Sequence, residues 1–201
     1  MGLIDYDYQD GQTPLDEDEK DGLRIATLTL RSELDEVEQR NIEKALQWVL
    51  KRRARFSVND VLSEQFVKDL HKKMYGEVWK WAGEFRKTNK NIGVDKFQIG
   101  IELKALLDDC KYWITQETFP QDEIALRFKH RLVSIHCFPN GNGRHSRLMA
   151  DIIVEKLFGR EVFSWGRRNL NAIGKERDAY LHAVRQADQG DLTFLIEFSR
   201  S

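Results

Sequence analysis

At 201 residues and 41% hydrophobic content, with 32 Lys and Arg against 33 Asp and Glu, the chain can bury a substantial core and has no basic excess to attract nucleic acid. Its 2 cysteines, Cys110 and Cys137, offer neither a disulfide framework nor metal-ligand spacing, which fits a reducing compartment. No apolar run approaches the ~18 residues of a membrane span, and the start lacks a basic-then-apolar leader pattern, so a cytoplasmic location is expected.

Residues 1–30 read as an N-terminal arm and residues 31–201 as one domain. The arm carries Gly11, Pro14 and the run Asp16-Glu-Asp-Glu-Lys-Asp. With few apolar groups to bury, it is expected to be a solvated, irregular segment or a partner-binding one. Ser32 followed by Asp35 resembles an N-cap, and Leu34, Val37, Ile42, Ala45, Leu46 and Val49 then recur at helical spacing as far as Arg53. A second helix starts at Asp60 or Ser63 and carries Phe66, Leu70 and Met74 on one face. Trp79 and Trp81 suit a core better than a site, since large aromatics dominate packing energies. Residues 87–99 are too rich in turn formers for a helix and predict a small β-hairpin turning at Gly93. Ile101 to Gln116 is amphipathic and closes at Phe119-Pro120. Asp122 is expected to cap the helix that follows.

That next helix leads into the most strongly punctuated stretch of the chain. Ile124, Ala125, Phe128, Leu132, Val133 and Ile135 mark a buried helix ending near His136. Pro139 and Gly141 break it, and a second stripe of Leu148, Ile152, Ile153 and Leu157 runs from Asn142 to a stop at Gly159. A helix start leaves about four N–H groups unsatisfied and roughly half a positive charge, so this tip is a ready anion site. Gly141 and Gly143 let the backbone turn its N–H groups inward and approach a phosphate closely. Arg144 and Arg147, three apart, share a helix face and suit a phosphate chain. His136 is the only group here whose ordinary pKa lies near neutrality. A proton acceptor beside a phosphate cradle points to transfer of a phosphate-containing group to a hydroxyl. Phe163, Trp165 and Gly166 follow, as core or as contacts to a base. Asn169 to Ala187 and Asp191 to Phe198 form two last helices.

The run His136-Cys-Phe138-Pro-Asn140-Gly141-Asn142-Gly143-Arg144-His-Ser-Arg147 resembles the Fic family signature, His-x-Phe-x-(Asp/Glu)-Gly-Asn-Gly-Arg-x-x-Arg, at every specified position except Asn140. Trp79-Lys-Trp81-Ala-Gly83-Glu-Phe-Arg86, Lys90-Asn-Ile-Gly-Val and Tyr180 to Asp191 are also similar to the family. The motif with Arg-Leu-Met-Ala-Asp after it is most similar to the subgroup called mobile mystery protein B, a bacterial, mobile-element-associated set. The resemblance implies an all-α, compact Fic-like helical bundle with a small β-hairpin flap. It implies a protein adenylyltransferase that moves AMP from ATP to a Ser, Thr or Tyr hydroxyl of a target protein. It assigns His136 as general base, Phe138 as loop anchor, Gly141, Asn142 and Gly143 to the α- and β-phosphates, Arg144 to the β-phosphate and Arg147 to the γ-phosphate. Asn91, Ile92, Gly93 and Val94 would form a flap docking the target by strand addition. Asn140 stands where an acidic ligand for Mg2+ is usual, and an amide oxygen brings the cation no charge.

Two alternatives accompany this assignment. One is a nucleotide-binding module weakened by Asn140; the other is a phosphate or other nucleotidyl transferase, as in the Doc branch, although Gly143 stands where that branch has lysine. By analogy the subgroup suggests a toxin-like component with a separately encoded antitoxin. The family's inhibitory helix pattern, (Ser/Thr)-x-x-x-Glu-(Gly/Asn), matches Thr29 to Glu33 and Ser32 to Glu36 over its first five positions, but Leu34 and Val37 fail the sixth. Glu33 and Glu36 are thus possible autoinhibitory residues, or acidic first-turn residues that suit the helix dipole.

Overall fold

Leu34, Glu38, Asn41, Ala45 and Val49 fall on one buried face of a long helix, α2 (Arg31–Lys51), at spacings of three and four. The computed structural model describes residues 16–28, 30–51, 56–166 and 175–201. Before α2 lies a single acidic turn, α1 (Glu17–Lys20), and after it a turn, α3 (Val58–Val61), closed by a reciprocal cap between Ser57 and Asp60. Ser63 then caps α4 (Glu64–Tyr75), its hydroxyl accepting the Phe66 N–H at 3.2 Å. α2 packs on α4. Ser32 lies inside α2 rather than capping it; Thr29 and residues 52–55 lie outside the described residues.

α5 (Ile99–Thr115), α6 (Gln121–Ile135) and α7 (Asn142–Ile152) follow, each packed on the next, and α4 also touches α7. α7 is central: Asn142, His145, Ser146, Leu148, Met149, Ala150 and Ile152 are all buried. Its stripe ends at Gly159 as expected, but over Ile153–Leu157 the helix widens to a π-turn. Pro120, not Asp122, precedes α6. Asp122 instead holds the Arg200 guanidinium in a fork at 2.6 and 2.9 Å, tying α6 to the end of α9 (Thr193–Arg200). α8 (Lys175–Asp188) pairs with α9; the part of its predicted span before Lys175 lies outside the described residues.

The expected all-helical architecture is observed, but no β-hairpin forms among the described residues. The physical reason lies in residues 87–98, where side chains take the backbone groups a ladder would use. Arg86 donates to the carbonyls of Thr88 and Val94, Asn89 Oδ1 accepts the Lys96 N–H at 2.8 Å, and Asp95 Oδ1 accepts the Phe97 N–H at 2.9 Å. Trp79 and Trp81 stack at 4.9 Å, Trp79 fully inside. Phe163 and Trp165 are core as well, the Trp165 indole donating to Asp151 at 3.0 Å. Both cysteines are free and buried, and burial pushes each thiol up to about 12, so neither is reactive. No helix of the described residues is long and apolar enough to cross a membrane.

Candidate active site

α6 ends on His136, which adopts the left-handed conformation at φ 57°, ψ 60°. A non-glycine residue there costs about 1 kcal/mol or more, so its neighbours must impose it. Arg86 does so: its Nε donates to the His136 carbonyl at 2.7 Å, and its own backbone N–H donates to the Cys137 carbonyl at 2.9 Å. From the other side Gly93 (φ 97°) lies on the ring's base, where a Cβ would come within 2.6 Å of the His136 Cβ. Asn91 and Ile92 are exposed, while the Val94 N–H reaches the Ile135 carbonyl at 3.3 Å. The predicted flap residues therefore cover His136 as an irregular segment.

The loop from Cys137 to Gly141 is locked from within. Asn142 Oδ1 accepts the Phe138 N–H at 2.9 Å and its Nδ2 donates to the Phe138 carbonyl at 2.7 Å. Phe138 is fully buried and stacks on the His71 ring at 3.7 Å. The Gly83 N–H donates to His71 Nδ1 at 3.0 Å, which leaves the proton on Nε2 to donate to the Asn140 carbonyl, also at 3.0 Å. Burial holds His71 well below the usual imidazole range, so this neutral tautomer persists. Gly141 has φ 78°, and a Cβ on it would meet the Tyr75 ring at 2.5 Å; only glycine fits.

Beyond this loop α7 begins with the N–H groups of Asn142, Gly143 and Arg144, ahead of its first bond, His145 N–H to Gly141 O at 2.9 Å. A Cβ on Gly143 would meet nothing within 4 Å, so the tip faces open space. Asn142 brings only its backbone to that tip, since both ends of its amide are used by the loop.

The two motif arginines part company. Arg144 pairs with Glu38 at 2.6 Å and lies 5.2 Å from the Tyr75 ring; Arg147 lies 5.2 Å from the Tyr180 ring and has no ion pair among the described residues. Lys129, buried on α6, sits 4.7 Å from the same Tyr180 ring. Glu38 is itself buried and also accepts the Trp79 indole N–H at 2.7 Å. A charged residue on α2's buried stripe is the signal the sequence carries for such a pairing. Glu33 and Glu36 are exposed, the first accepting the Leu30 N–H at 3.1 Å and the second pairing with Arg40 at 3.5 Å.

His136 is 4% exposed, and its pKa is lowered to about 4, first by burial and then by the Arg86 and Lys90 charges, against a raising hydrogen bond to the Val133 backbone carbonyl. At neutral pH the ring is an uncharged proton acceptor.

For magnesium the donor set is poor. Asn140 Oδ1 is turned back onto the Gly141 N–H at 2.5 Å, and no cluster of three or more His, Cys, Asp or Glu occurs among the described residues. These residues do not fit a metal held by the protein, which needs a carboxylate beside the phosphate oxygens. The positive charge the chain itself supplies comes from Arg144, Arg147 and the helix tip. Asn140→Asp is therefore expected to widen the gap between ATP affinities with and without magnesium about tenfold by calorimetry; an unchanged gap would mean position 140 does not face the metal.

Residues 61–154 match the model of the Fic/DOC family. The chain carries a Fic/DOC domain. Protein adenylyltransferase Fic of Drosophila grimshawi is 27% identical over 135 residues, 65% of this chain and 26% of that protein; the Drosophila melanogaster protein of the same name is 26% identical over 134 residues. The chain thus spans about a quarter of the length of these curated relatives. Among solved structures, the BepC protein of Bartonella tribocorum with bound AMPPNP superposes with a TM-score of 0.65 at 18% identity, covering 92% of this chain and 97% of that one. Fic-1 of C. elegans gives 0.62 at 22%, covering 90% and 51%. These superpositions place the fold among Fic domains. The family match spans α4 to the π-turn, and so includes His136, the loop and the α7 tip.

Proposed function

We propose that this Fic/DOC domain transfers AMP from ATP to a hydroxyl of a target protein, with His136 as general base. The single observation that carries the proposal is a neutral imidazole and an open, unsatisfied helix tip set at the two ends of one locked loop. The target's Ser, Thr or Tyr oxygen attacks the α-phosphorus as its proton passes to His136. The α-phosphorus bond to the bridging oxygen breaks, and pyrophosphate leaves. The N–H groups of Asn142, Gly143 and Arg144 hold the α- and β-phosphates, and Arg147 holds the γ-phosphate. Positioning and charge stabilisation supply most of the rate. The relatives named protein adenylyltransferase and the neighbour binding an ATP analogue support this reading.

The test is incubation with lysate and ATP labelled at the α- or at the γ-phosphate. Protein labelling from the α-position alone is expected, and none from His136→Ala. Labelling from the γ-position would replace AMP transfer by phosphate transfer. Equal faint labelling by both proteins would leave a binding module, which the turned-back Asn140 amide favours as second reading.

Arg147→Ala is expected to weaken ATP binding about tenfold or more and AMP binding little, because a charged hydrogen bond to the terminal phosphate contributes roughly 1.5–3 kcal/mol. Equal losses for the two nucleotides, measured by calorimetry, would remove Arg147 from the γ-phosphate.

A further inference from the structure

Lys90 belongs to the segment that covers His136, yet its side chain is only 4% exposed. Its ammonium lies 2.9 Å from Asp16 Oδ2 and 2.5 Å from Glu19 Oε2, both more than seventy residues earlier. The Thr88 hydroxyl donates to the same Asp16 oxygen at 2.6 Å. A lysine taken out of water is costly unless paired, so these two carboxylates are what permits Lys90 to be buried.

The acidic turn bearing them is itself fastened. The Trp81 indole donates to the Glu19 carbonyl at 2.9 Å, the Lys80 N–H to the Gly22 carbonyl at 2.8 Å and the Arg24 N–H to the Val78 carbonyl at 2.8 Å. Residues 16–24 thus form a strap anchored on Val78–Trp81, not the solvated stretch their composition suggested. The strap's carboxylates, paired with Lys90, reach one end of the covering segment, while Arg86 and the Ile135 carbonyl hold its other end over His136. Between these two attachments runs the backbone of Asn91, Ile92 and Gly93, the part nearest the base.

We propose that Asp16 and Glu19 are positioning residues: acting through Lys90, they fix segment 87–98 over His136 and so fix where a target hydroxyl meets the base. The catalytic consequence rests on the transferase reading; the ordering of the segment does not.

Hydrogen exchange on the full chain, without nucleotide, tests the ordering. Asp16→Asn with Glu19→Gln, or Lys90→Glu alone, should speed amide exchange in 87–98 about tenfold, the loss of charge-assisted bonds of this kind, and leave α6 and α7 unchanged. The pair Glu19→Lys and Lys90→Glu should restore slow exchange, since a cation then again stands between two carboxylates. The same variants should lower the rate of AMP transfer at saturating ATP about tenfold while KM for ATP stays constant, a split that general destabilisation does not produce. Unmoved exchange in 87–98, acceleration spread equally over α6 and α7, or no rescue by the swap overturns the proposal. Absence of label in the wild type overturns only the transferase reading, because exchange is measured without turnover.

Discussion

Replacing His136 by alanine is expected to lower the rate of AMP transfer about 10²–10⁴-fold while changing ATP affinity little. That range is what a positioned proton acceptor contributes. The groups proposed to hold the phosphates lie on α7 and survive the change, so binding is expected to persist and only the chemical step to suffer. Burial and the Arg86 charge keep His136 neutral down to a pKa of about 4, which guarantees the acceptor form at pH 7 but makes it a weak base. A bound triphosphate brings negative charge to the far end of the loop, and this charge raises the imidazole's basicity when it is needed. The pH profile of kcat/KM in the free enzyme should therefore break near pH 4, and that of kcat at a higher value. Loss of ATP binding in the alanine variant, by calorimetry, would make His136 a structural residue instead.

The second large effect is on stability in mild acid. His136 and His145 have pKa values lowered to about 4 by burial, and His71 is held well below the usual range for the same reason. An unfolded chain binds protons on these rings from about pH 6.5 downward while the folded chain refuses them. Their stabilising contribution is thus complete above pH 6.5 and is withdrawn as pH falls toward 4, about 3 kcal/mol each for His136 and His145. Carboxylates such as Asp16 and Asp191, held below their usual 3.8, give up their share only at lower pH, so the window between 6.5 and 4 belongs to the histidines. Urea midpoints at pH 7 and pH 4.5 check this. A large drop is expected, smaller in His145→Gln; equal midpoints would show that the three rings titrate as if exposed.

What the chain announces in sequence is what depends on neighbours in sequence. Pro139, Gly141 and the apolar periods either side place a loop between two helices, and the α7 tip follows from geometry common to every helix. The loop's internal lock follows less directly: Asn142 is also what holds Phe138, and its side chain is spent on that bond. Glu38, His71 and Arg86 were not recognised as parts of the site because their partners lie 50 to 106 positions away. A charge at a buried helical position says that a partner exists without saying which. The same distance hides the strap, since Lys90 and Glu19 each look like an ordinary surface charge. The hairpin expected over 87–99 failed for a related reason: Arg86, Asn89 and Asp95 compete for the very backbone groups that alternation alone would assign to a ladder.

On the proposed reading, the α7 tip grips a nucleoside triphosphate within reach of a neutral His136. Amide and imidazole resonances can be followed while ATP is added to the isotopically labelled chain. The amides of Asn142, Gly143 and Arg144 are expected to shift together with one affinity, and the His136 ring then to titrate above its nucleotide-free value of about 4. Shifts confined to other surfaces, with those three amides and the His136 titration unmoved, would place the nucleotide elsewhere.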